Sequence, residues 1–165
     1  MVIDGIARFN ALPSAEAEVE LYACFANRHW ASEVASGRPY RDAPGLFDAA
    51  AILLETLSDD EWLEAFKAHP RIGERGGDAP ASSEREQGPA MRAEPETLAR
   101  LAADNRSYEQ KFGHVFLIAA SGRTADEIHA ELQRRMSNSP GAELEEAKRE
   151  LRKIAEIRLG KLLER

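Results

Sequence analysis

Val115-Phe116-Leu117-Ile118-Ala119-Ala120 is the most apolar run of the chain, and the fold class turns on how it is read. Gly113 precedes it and Gly122 follows it, so flexible backbone flanks it on both sides. Six apolar residues fit a buried strand as well as the start of a buried helix, because so short a window shows neither period. The flanking sequence is helical. A long helix runs from about Pro95 to Phe112 and ends at Gly113. Thr124 to Glu127 is a capping box that opens a helix to about Met136. Ser139-Pro140 starts the last helix, with Leu144, Ala147, Leu151, Ile154, Ile157 and Leu162 at its apolar positions.

The first half reads the same way. Ile3 to Leu12 form a short amphipathic turn or helix ended by Pro13. Ser14 is placed to cap a helical region carrying Val19, Leu21, Tyr22, Phe25, Trp30 and Val34, which stops at Gly37-Arg38-Pro39. A further helix follows Pro44, with Leu46, Phe47, Ala50, Leu53, Leu54 and Leu57 at helical spacing. Ser58-Asp59-Asp60-Glu61 is a second capping box, restarting the chain as a short helix with Trp62, Leu63 and Phe66. The expected fold is all-α: one compact domain over residues 1–165, of about seven or eight helices and no convincing sheet.

Composition narrows the function. The chain of 165 residues is 43% hydrophobic and 31% charged, and can bury a real core. A net charge of −7 argues against a nucleic-acid groove or an anionic membrane surface as partner. A small anion can still bind where a few arginines gather. The one cysteine, Cys24, allows no internal disulfide and reads as a small buried hydrophobe. His29, His69, His114 and His129 are scattered and give no metal-ligand spacing. No basic-then-apolar leader and no membrane-length run is seen, so a soluble cytoplasmic location is expected.

The chemistry-bearing residues cluster elsewhere. His69-Pro70-Arg71-Ile72-Gly73 is followed by Ser83-Glu84-Arg85-Glu86-Gln87, across a Gly-, Ala-, Pro- and Ser-rich stretch at 74–82 that reads as an exposed loop. Pro70 biases His69 toward extended backbone, so the imidazole sits on a stiff bend. An aimed histidine suits proton transfer. The plainer reading, a helix C-terminal histidine complementing the dipole, would win for an isolated residue. The adjoining proline and the acid–amide cluster reverse that preference. Ser83-x-x-Glu86 is also a formal capping box, but a capped N-terminus still presents N–H groups to a ligand oxygen. Gln87 offers a donor and an acceptor to a polar heterocycle. Arg158, Arg71 and Arg38 read first as solvated charges. Phe116 to Ala120 reads as core whose backbone can line a pocket, while Trp30 and Trp62 read as core alone.

With these motifs the chain resembles the family of 2-oxo-4-hydroxy-4-carboxy-5-ureidoimidazoline (OHCU) decarboxylases, which yield (S)-allantoin at the end of urate breakdown. The resemblance runs nearly end to end. It includes Phe9-Asn10-Ala11-Leu12, Arg38-Pro39-Tyr40, Trp62-Leu63-Glu64-Ala65-Phe66, the His-Pro-Arg-Ile-Gly element, Ser-x-x-Glu-Gln, Phe112-Gly113-x-x-Phe116 and Lys153-Ile154-Ala155-x-x-Arg158-Leu159. It implies an all-helical, cofactor-free, metal-free and commonly homodimeric carboxy-lyase of purine catabolism. His69 and Glu86 would be catalytic. Pro70, Ser83, Gln87, Arg158 and the backbone segment Phe116, Leu117, Ile118, Ala119 and Ala120 would meet the ureidoimidazoline. Two positions depart from the family pattern: Ala119 stands where cysteine is frequent, and Gly88-Pro89 where many members have a small residue and then Gly. A ureide or cyclic-amide hydrolase using His69 and Glu86 to activate water, and a non-catalytic helical adaptor, are the competing readings.

Overall fold

Proline, glycine and short polar caps punctuate the chain into helices. The computed structural model describes residues 4–72 and 93–165. Among the described residues there are eight helices and no strand, as expected for an all-α fold. They are α1 (Gly5–Ala11), α2 (Ser14–Cys24), α3 (Arg28–Ser36), α4 (Ala43–Leu54), α5 (Asp59–Phe66), α6 (Pro95–Phe112), α7 (Ala125–Arg135) and α8 (Pro140–Leu163). Contacts group the chain into two units, Met1–Ala65 with Arg152–Arg165, and Phe66–Leu151.

In the first unit the Ser58 cap is the one the sequence marks, while Asp4, Asn27 and Asp42 are caps it did not mark. Asp42 accepts the Gly45 N–H at 2.8 Å, with Pro44 in the first turn of α4. The Ser58–Glu61 box closes in both directions, each backbone N–H meeting the other side chain at 3.2 Å. Two expectations are corrected. Ser14 is the first residue of α2 rather than its cap; Pro13 holds the cap position and makes no side-chain bond there. The region from 14 to 36 is also two helices. Phe25 turns extended at φ −149°, and Asn27 restarts the chain by accepting the Trp30 N–H at 2.8 Å. Phe25 lies edge-on to both Trp30 and Trp62, with centroids 5.5 and 5.0 Å away, and all three rings are buried. Burying the Phe25 ring between the tryptophans favours the break over a continuous helix. Val19 and Tyr22 of the same apolar stripe face solvent.

The motif segments at 9–12 and 38–40 meet in this unit. Asn10 donates to the Tyr40 carbonyl and accepts the Tyr40 N–H, both at 2.9 Å. Arg38 donates to the carbonyls of Ala35, Phe9 and Leu12 at 2.9, 2.9 and 2.7 Å. The Arg38–Pro39 peptide is cis. Gly5 is required by close approach, since a Cβ there would lie 1.7 Å from the Leu163 carbonyl oxygen. Cys24 is buried, as expected, its thiol 3.5 Å from the Glu20 carbonyl.

The second unit is built on α6 and α7, which pack together. Gly113 ends α6 at φ 81°, the left-handed conformation that glycine adopts without strain. Thr124 caps α7 through the Glu127 N–H at 3.2 Å. His129 of α7 meets Asp104 of α6 at 2.5 Å.

Asn27 is the hinge of the first unit's caps, because its amide also donates to Glu61 at 3.1 Å. The Ser58 N–H, and then this Asn27 amide, hold the Glu61 carboxyl below its ordinary value of 4.5. A carboxyl depressed in the folded state stabilises above its unfolded pKa, and that contribution is lost as pH falls through the lower folded value. Asn27→Ala is expected to cost about 1–2 kcal/mol in urea denaturation and to weaken this acid dependence of stability. A variant as stable as the parent across pH 3–6 (a window of about three units around the carboxylate range) would contradict this account of the cap.

Candidate active site

His69 lies just beyond α5, its N–H donating to the Phe66 carbonyl at 3.1 Å, and it is only 9% exposed. Burial of an imidazole at a helix exit fits an aimed group better than a solvated one. Helix α6 anchors the chain just beyond the histidine. Asn105 donates to the Ile72 carbonyl at 3.2 Å, and Glu109 takes Arg71 in a two-pronged pair at 2.6 and 3.0 Å. Asn105 and Glu109 are four residues apart, hence on one helix face. Arg71, one of the candidate ligand arginines, is therefore in an ion pair.

Residues 115–120 are neither strand nor helix, so both readings of the apolar run are corrected. The segment is irregular yet buried: Phe116, Leu117, Ile118 and Ala120 are each under 5% exposed, and Ala119 is half-buried. Phe116, Ile118 and Ala120 share one core with Ile72, Leu101, Tyr108, Ile128 and Leu132. The chain just after His69 and the 116–120 segment are thus packed into the same core. A buried segment without a ladder must satisfy its polar backbone some other way. Arg135 donates to the Leu117 carbonyl at 2.7 Å, Glu150 accepts the Ala119 N–H at 3.3 Å, and the Arg123 N–H reaches the Ala120 carbonyl at 3.0 Å.

Arg135 is itself buried, at 1% exposure, and so is its partner Glu143, at 0%. Arg135 Nε donates to Glu143 Oε1 at 2.7 Å, and the Tyr108 hydroxyl donates to the same oxygen at 2.7 Å. Asn138 donates to the other carboxylate oxygen at 3.1 Å, and the guanidinium lies 4.5 Å from the Phe116 ring centroid. Burial, reinforced by the Glu143 hydrogen bond, pushes the Tyr108 hydroxyl well above its ordinary range, so it stays a donor. His114 packs its ring among Phe66, Tyr108 and Phe112.

Among the remaining sequence-derived residues, Ser83, Glu86 and Gln87 lie outside the described residues, as do Gly88 and Pro89. Arg158 belongs to the first unit, is 8% exposed, and donates to the Ala23 carbonyl at 3.3 Å. That overturns its reading as a solvated charge. Arg38 is likewise committed to backbone carbonyls. A pocket of about 230 Å³ in the first unit, lined by Trp30, Phe47, Leu54, Arg152 and Leu159 among others, contains none of these residues. Among the described residues no group of metal-binding side chains occurs. Sequence reading missed Asn105, Glu109, Arg135, Glu143 and Glu150. Only Asn105 left a trace, as a polar residue on the Leu101–Asn105–Tyr108–Phe112 stripe.

The described residues are thus all-helical, and the second unit holds a buried histidine at a helix exit and an irregular buried segment pinned by side chains. The family model for OHCU decarboxylase matches residues 10–160, and the chain belongs to that family. A 2-oxo-4-hydroxy-4-carboxy-5-ureidoimidazoline decarboxylase of Haloferax volcanii is 35% identical over 136 residues, 79% of either chain. The uric acid degradation bifunctional protein TTL of Arabidopsis thaliana is 35% identical over 88% of this chain, which spans only about half (47%) of that relative's length. A crystal structure of an OHCU decarboxylase, determined in the presence of (S)-allantoin, superposes with a TM-score of 0.79 at 33% identity, covering 88% of this chain and 98% of that one.

Removing one partner of the buried pair should strand the other charge. Glu143→Ala is expected to lose about 3–5 kcal/mol of stability, read from chemical denaturation. A loss below about 1 kcal/mol would place the pair among weak surface bridges and remove it as the anchor of Leu117.

Proposed function

We propose that this protein decarboxylates 2-oxo-4-hydroxy-4-carboxy-5-ureidoimidazoline to (S)-allantoin, with His69 as the acid–base group and no cofactor. The observation that carries the reading is the family match across residues 10–160, which includes the His69 element. The substrate carries its carboxylate on a carbon that also bears a hydroxyl and adjoins a C=N bond. As CO₂ leaves, the electron pair of the breaking C–C bond flows toward that C=N, so the ring is its own electron sink. The intermediate is enol-like. The ring nitrogen of the former C=N takes up one proton and the ureido-bearing carbon another, while the hydroxyl gives one up to leave a carbonyl. The carboxylate substrate thus consumes one proton net on its way to neutral allantoin and CO₂.

The protein then has two tasks. It holds the breaking bond perpendicular to the ring, so that the electron pair overlaps the π-system. It also moves a proton on one face only, which fixes the S configuration. His69 either takes the hydroxyl proton or delivers the carbon-bound one, and the resemblance gives Glu86 the part of orienting and tuning it. Pro70 lines the site, while Ser83, Gln87 and backbone groups of residues 116–120 read the ring and ureido amides. Arg158 balances anionic charge. Its hold on the departing carboxylate must be loose, because tight ground-state binding of that charge slows its loss.

Homodimeric assembly and a cytoplasmic location belong to the same reading. Exposed Val19, Tyr22 and Ile157 give α2 and α8 apolar surface for a two-fold contact. No helix among the described residues is long and apolar enough to cross a membrane.

The test is circular dichroism of allantoin formation, with urate converted in situ by uricase and the following hydrolase. The protein should give rapid (S)-allantoin against a slow racemic background; background kinetics alone would defeat the reading. His69→Ala should lose about 10²–10⁴-fold in turnover while keeping its helical spectrum. A fully active variant would remove His69 from the chemistry. Arg158→Ala should mainly raise KM, and an unchanged KM would confine Arg158 to its bond with the Ala23 carbonyl.

A further inference from the structure

Two charged side chains hold the 116–120 backbone at alternate residues, and the proposed chemistry uses neither. Arg135 takes the Leu117 carbonyl at 2.7 Å and Glu150 takes the Ala119 N–H at 3.3 Å. The packing of Phe116 and Ile118 fixes side chains, but apolar contacts are not directional. Hydrogen bonds to charged partners are directional, and they set the peptide planes of a segment that has no ladder.

Peptide geometry then dictates what those bonds orient. In a trans peptide the C=O and the following N–H point in opposite directions. Holding the Leu117 carbonyl turns the Ile118 N–H away from Arg135. Holding the Ala119 N–H turns the Ile118 carbonyl away from Glu150. Both backbone groups of Ile118 are therefore aimed by these two side chains. Among the described residues neither group takes a hydrogen bond. A carboxylate on the Ala119 N–H also polarises its peptide, making the Ile118 carbonyl a stronger acceptor.

We propose that Glu150 is a positioning residue, which with Arg135 sets the Ile118 N–H and carbonyl as a donor–acceptor pair for an amide or urea edge of the ligand. The inference rests on the proposed decarboxylase function, in which this segment meets the substrate. A ureido group presents both an N–H and a carbonyl, the chemical complement of such a pair. Arg135 is embedded in the buried Tyr108–Glu143 network, so its removal disturbs the core. Glu150 is half-buried and sits within α8, where alanine is a good helix former.

The experiment compares Glu150→Ala, Glu150→Gln and the parent for kcat, KM, enantiomeric purity of allantoin and Tm. Glu150→Ala is expected to raise KM about tenfold and to erode enantiomeric purity, with Tm nearly unchanged. Glu150→Gln keeps an acceptor oxygen and should recover most of the loss. Should alanine lower the Tm, Glu150→Asp, which withdraws the carboxylate by one methylene, is expected to show the same KM defect. Parent-like KM and purity in the variants would overturn the proposal. Equal damage from Ala and Gln would also overturn it, since charge rather than the held N–H would then be at work. A parent without decarboxylase activity would instead defeat the functional reading itself.

Discussion

The second unit depends on one buried ion pair. Desolvating a guanidinium and a carboxylate costs several kcal/mol each, and Coulomb attraction alone seldom recovers it. Here each charge is also hydrogen-bonded. Glu143 receives Arg135, Tyr108 and Asn138, while Arg135 reaches on to the Leu117 carbonyl. The pair thereby does what a strand ladder or helix turn would otherwise do, supplying a partner to buried irregular backbone. An apolar pair of equal volume would pack as well but would leave the Leu117 carbonyl without its donor. That is the physical reason for burying charge at this position.

Helices were the readable part of the sequence, because caps and apolar periods are local signals. The Ser58–Glu61 box closes as its spacing suggests, Thr124 caps α7 through the Glu127 N–H, and Gly113 ends α6 in the conformation glycine permits. The break at Phe25 was not readable from the stripe, since its cause is the burial of one ring between Trp30 and Trp62. The 115–120 run failed for the same kind of reason. Its backbone partners are Arg135 and Glu150, 18 and 31 residues along the chain from the groups they hold. The place of His69 just past a helix end was legible because Pro70 biases the residue before it away from helix. The Asn105 and Glu109 contacts that anchor the next residues come from 33 and 38 positions away.

At Ala119, where the resemblance to the family leads one to expect cysteine, the chain is held through its backbone. The contact observed there is made by the backbone N–H, which every non-proline side chain leaves available. Alanine at this half-buried position leaves that N–H open to Glu150.

In this protein of net charge −7 several arginines, buried like Arg135 and Arg158 or half-buried like Arg8 and Arg38, bond to the chain's own carbonyls. Helix C-termini leave carbonyls without intrahelical partners, and an all-α chain has many such ends. Arg38 takes the carbonyls of Phe9, Leu12 and Ala35 near the ends of α1 and α3. Arg8 takes Leu162 at the end of α8, and Arg158 takes Ala23 in the last turn of α2. The planar guanidinium can serve several carbonyls in fixed directions, which a lysine ammonium on a flexible stem cannot do as well. For Arg158 the bond to the Ala23 carbonyl restricts the rotamer, so that under the proposed function less entropy is lost when the guanidinium engages an anion.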